Sequence, residues 1–77
     1  MDLQEFIGKF AEQFEETDAS EFKADTEFKK LADWNSMVAL SIIAMVDVEY
    51  GVTIKGEDIR KSDTVKDLFN IVKGYKS

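Results

Sequence analysis

The chain has 77 residues, with 16 acidic and 10 basic side chains and a formal charge of −6. That length makes one small domain, which buries about 60% of the surface its unfolded chain exposes. Cysteine and histidine are both absent, which excludes disulfides, thiolate chemistry, histidine-based triads and the usual zinc sites.

Charge and hydropathy exclude more. A nucleic acid needs a basic footprint on its partner, and an acidic chain lacks one. A protein with a basic surface is the better-matched partner, because complementary fields speed encounter. No run is long or apolar enough to span a membrane. The opening "MDLQEF" has neither the basic nor the apolar region of a signal peptide. A cytoplasmic monomer is the expectation.

Apolar residues follow helical spacing almost throughout. Leu3, Phe6, Ile7, Phe10 and Phe14 form one stripe, with Glu5, Lys9, Glu12, Gln13 and Glu16 off it. This predicts a first helix from about Leu3 to Glu16, capped by Asp2. Thr17 to Asn35 is then a long polar connection carrying Phe22, Phe28, Leu31 and Trp34. A loop of that length must pack down or have a use, and these four bulky residues are its expected pins. A short helical turn is expected near Glu27 to Lys30, capped by Asp25 or Thr26.

A second helix is predicted from Asn35 or Ser36 to Tyr50, stopped by Gly51. Met37, Leu40, Ile43, Ala44 and Tyr50 make one apolar side, widened by Ile42 and Val46. Val38, Met45 and Val48 are apolar on the other side, so the helix is central or meets a partner. "VTIK" alternates like a strand, but a lone strand has nothing to pair with. An extended link with Val52 and Ile54 inward is expected instead. A helical turn around Glu57 to Arg60 follows. The last helix is capped by Ser62 or Asp63, with Val65, Leu68, Phe69, Val72 and Tyr75 inward. The fold class is all-α: a small bundle of three longer helices and one short one.

No spacing of carboxylates singles out an acid and a base. There is no Gly-rich phosphate loop and no calcium-binding loop pattern. An enzyme is therefore not expected. Ser36 is the one residue whose context allows chemistry. It stands at a helix start, where free N–H groups and the positive dipole end suit a phosphodiester. If Asn35 caps the helix, Ser36 Oγ is left free. If Ser36 is itself the cap, it has no further role.

From about Asp25 to Val72 the chain resembles the acyl carrier proteins. The carrying residues are "DTEFKKL", then "NSMVALSIIAMVDVEYGVTI", then "DTVKDLF". The resemblance implies a single carrier domain, residues 1–77, with a long loop after the first helix. It implies a 4'-phosphopantetheine arm on Ser36, added from coenzyme A by a phosphopantetheinyl transferase. The arm's thiol would hold an acyl or aminoacyl group for loading and accepting enzymes. A cleft for the acyl chain would be lined by Leu40, Ile43, Ile54, Ile59 and Leu68, residues that suit an ordinary core as well.

Two features depart from the family pattern. Asn35 replaces the usual aspartate and Met37 the usual leucine. The positions that are commonly acidic on the family's second helix are Val38, Ser41 and Val48, leaving Asp47 and Glu49 as its acids. A mixed docking face of Asn35, Met37, Val38, Ser41, Met45, Asp47, Val48 and Glu49 is the expectation, with dedicated partners in a specialised pathway. The alternative is an unmodified helical interaction module.

Overall fold

Asp2 starts the first helix as its sequence context predicts, accepting the N–H groups of Gln4 and Glu5 at 3.3 Å each. The computed structural model describes residues 1–76. Helix α1 (Leu3–Ala11) turns Phe6, Ile7 and Phe10 into the interior. It ends at Ala11, five residues short of the expected Glu16. Two tighter bonds close it, Gln13 N–H to Phe10 O and Phe14 N–H to Ala11 O. The next N–H groups, of Glu16 and Thr17, donate to Asp33 Oδ2 at 3.2 Å. In a continued helix they would donate to carbonyls four residues back. Phe14 is freed to pack against Phe22, with ring centroids 4.8 Å apart.

The connection packs down. Phe22 and Phe28 are buried, and Leu31 and Trp34 are half-buried against the core. It contains two 3₁₀ turns, Ala19–Glu21 and Phe28–Lys30. Only the second was expected, and neither Asp25 nor Thr26 caps it. Thr26 Oγ1 instead accepts Lys23 N–H and donates to Glu21 O. The loop also holds the last helix: Ala24 O and Thr26 O accept the N–H groups of Lys66 and Val65. Those two donors precede that helix's own hydrogen bonds and would otherwise go unpaired.

Helix α2 (Ser36–Tyr50) ends at Gly51, whose φ of 66° is the left-handed conformation that glycine adopts without strain. Val52 and Ile54 point inward from an extended link, and no strand occurs among the described residues. Helix α3 (Gly56–Arg60) is one short turn, its Asp58 carboxylate reaching back to Lys55 N–H at 2.9 Å.

Helix α4 (Val65–Lys76) is capped by Thr64, not by Ser62 or Asp63. Thr64 Oγ1 accepts Asp67 N–H, and Asp67 Oδ2 accepts the N–H groups of Thr64 and Asp63. This reciprocal pairing satisfies several helix-start donors at once. Ser62 is buried and donates to Asp58 O. Val65, Leu68, Phe69 and Val72 face inward, but Tyr75 does not; it is 56% exposed.

The fold is thus an all-helical bundle of four α-helices among the described residues, with α1 packed on α2 and α4, and α3 bridging α2 and α4. One continuous core joins them. Phe10 lies at an aromatic centre, within 6.1 Å of Phe6, Phe14, Phe22 and Phe28 by ring centroid. Each such ring contributes about 1.5–3 kcal/mol by burial.

Candidate functional site

The start of α2 is held from behind by Trp34. Its ring meets Phe28 edge-on at 5.2 Å and stacks on Phe14 at 6.2 Å. Trp34 N–H donates to Leu31 O, closing a turn just before the helix. Asp33 ties the same segment to the end of α1, accepting Thr17 Oγ1–H at 2.7 Å. That hydroxyl, ahead of the backbone donors of Glu16 and Thr17, holds the Asp33 carboxyl below its ordinary range despite some desolvation.

Asn35 then does the capping. Its backbone is extended, and its Oδ1 accepts Val38 N–H at 3.0 Å. Ser36 is the first helical residue and is exposed. Its Oγ has no hydrogen-bond partner among the described residues. The N–H groups of Ser36 and Met37 come before the first intrahelical bond and likewise find no acceptor there. An exposed hydroxyl therefore stands beside two free donors at the positive end of a 15-residue helix.

This arrangement does not activate the serine. There is no histidine in the chain, and no titratable group bonds Ser36 Oγ among the described residues. Nor do three metal-ligating side chains cluster there. What the site offers is an accessible acceptor for a group delivered by another molecule. A phosphodiester on that oxygen would lie against the free donors and the helix dipole, so the residues present fit it.

The other expected site residues divide by face. Met37, Ser41, Asp47, Val48 and Glu49 are exposed, as a docking face requires. Met45 is not: it is buried to 7% exposure, and Val38 is half-buried against the core. The inward face of α2 is Ile42, Met45 and Val46, while Met37, Leu40 and Ala44 turn outward. Leu40 is 59% exposed, so it does not line an interior cleft. Ile54, Ile59 and Leu68 are members of the packed core, and Ile43 packs against it half-buried. The two grooves along the α1–α2 seam are lined by none of these five.

Those grooves bring in residues that the sequence reading passed over as solvated charge: Glu12, Gln13, Glu15, Glu16 and Asp33. Their approach to α2 depends on α1 ending at Ala11, which helical periodicity does not signal. Lys9 crosses the same seam to Glu49 at 3.0 Å. No Lys or Arg lies between Lys30 and Lys55, so the Ser36 region is acidic and apolar.

No family model matches the chain, and no curated protein and no solved structure matches it either.

Proposed function

We propose that the chain is an acyl carrier protein, with Ser36 as the attachment point of a 4'-phosphopantetheine arm. The observation that carries this reading is the division of labour at the start of α2. Asn35 supplies the cap, so Ser36 Oγ is exposed and unengaged at the helix's positive end. The resemblance of residues 25–72 to that family supports it, as does the match between that resemblance and an all-helical bundle with a long packed loop.

In this reading the chain catalyses nothing. Ser36 Oγ displaces the 3',5'-ADP half of coenzyme A, and a phosphopantetheinyl transferase removes the hydroxyl proton. The bound arm supplies the thiol that a cysteine-free chain lacks, and holds an acyl or aminoacyl cargo as a thioester. Loading and accepting enzymes are the further partners, in the cytoplasm, with the carrier as a monomer. The scarcity of acid on α2 favours dedicated partners of a specialised pathway over a general fatty-acid set.

The second reading is an unmodified interaction module. The exposure of Val48, at 78%, and of Met37, at 70%, favours it. Intact mass separates the two. After incubation with coenzyme A and a transferase, the carrier gains one arm, and Ser36→Ala gains none. No gain with transferases from several pathways would sink the carrier reading.

A further inference from the structure

Met37, Leu40, Ser41, Ala44 and Val48 are all exposed on α2. At 3.6 residues per turn they share one stripe, about 16 Å long at 1.5 Å per residue. Neither a Lys nor an Arg occurs anywhere on this helix. The stripe is one wall of a groove. Two shallow cavities of about 300 and 330 Å³ meet at Gln13 and Ser41 and run along the α1–α2 seam.

The opposite wall differs in kind. It is the end of α1 and the turn after it, where Glu12, Glu15 and Glu16 are exposed. Lys9, the cation that lines this groove, has its ammonium tied to Glu49. The groove is therefore apolar on its α2 side and acidic on its α1 side.

We propose that this groove docks a short amphipathic helix of a partner protein, with apolar side chains toward α2 and Lys or Arg toward the α1 wall. Charge selects this occupant over two others. A second copy would bring its own Glu12, Glu15 and Glu16 against these, and an anionic membrane would meet a chain of net charge −6. The groove residues are separate from Ser36 Oγ, so the proposal does not rest on the carrier reading.

The unmodified chain tests it, by fluorescence anisotropy with labelled synthetic helices. The probe has leucines on one face and lysines beside them. One control replaces the leucines by glutamine, and another the lysines by glutamate. The probe binds, and each control binds at least about tenfold more weakly. Val48→Glu weakens probe binding about tenfold even though it adds a negative charge. Attraction by charge alone would make that variant bind tighter, and such tightening overturns the proposal. Glu15→Lys with Glu16→Lys weakens the probe and strengthens the glutamate control, which checks the acidic wall independently. Equal binding of the glutamine control overturns the proposal too. So does a dimer in sedimentation at the concentrations used, or binding of the chain to anionic lipid vesicles with none to the probe.

Discussion

Asn35 Oδ1 accepts the Val38 N–H at 3.0 Å, and the hydroxyl of the intervening Ser36 bonds nothing among the described residues. Two adjacent polar side chains at one helix start thus have different work. The cap is the job of Asn35 alone, since one oxygen suffices for the N3 donor. The consequence is that Ser36 can be altered without disturbing the helix that presents it.

Asn35→Ala should therefore lower the unfolding free energy by about 1 kcal/mol. Asn35→Asp keeps the oxygen and should stay within a few tenths of the parent. Ser36→Ala should change stability by no more than about 0.5 kcal/mol. Urea unfolding of the three variants measures this. A Ser36→Ala loss as large as that of Asn35→Ala would show the serine to be the cap.

A second prediction concerns the other end of the molecule and alkaline pH. Tyr75 Oη donates to the Asp58 carboxylate, 3.0 and 3.1 Å from its two oxygens. That bond, ahead of desolvation, raises the Tyr75 pKa above its ordinary 10.0. The folded state then holds a proton that the unfolded chain releases first. The contribution is full below about pH 10 and is lost as pH rises through the folded value. Tyr75→Phe should lower the urea midpoint at pH 7 and make the decline above pH 10 shallower. A decline of unchanged steepness would mean that the latch is not formed in solution.

Tyr50 offers a third test with the opposite sign. Its hydroxyl is buried without a hydrogen-bond partner, while its ring packs 5.8 Å from that of Phe6. Desolvation is the main cause that raises its pKa. Removing a buried, unpaired hydroxyl recovers the cost of stripping it of water. Tyr50→Phe should keep the ring contact and stabilise the fold by about 1 kcal/mol. It should also reduce the alkaline decline, because the mechanism is linkage again. Thermal unfolding that shows destabilisation would reveal a partner for the hydroxyl.

Local chemistry made much of this fold readable in the sequence. Asp2, Asn35 and Gly51 bound their helices because a cap needs only neighbours in the chain: a side-chain oxygen two or three residues before a free N–H, or a residue at ease in the left-handed region. The stripe of α1 was legible because its phenylalanines recur on one face only. The position of Ser36 as a free hydroxyl followed from the same local reasoning.

The tertiary structure decided the rest. Where α1 stops depends on Asp33, sixteen residues beyond Thr17, whose carboxylate takes the N–H groups that a longer helix would have used. Which side of α2 turns inward had no sequence signal, because apolar residues surround that helix. Ile42, Met45 and Val46 were selected by the shape of the phenylalanine-rich core they meet, and Leu40 was left outside. Tyr75 lies on the helical stripe but leaves it for a carboxylate on α3, since a phenol at the edge of a core gains more from Asp58 than from burial. Spacing along the chain determines which residues share a helix and where its caps fall; only contact between helices determines which of their faces remain for a partner.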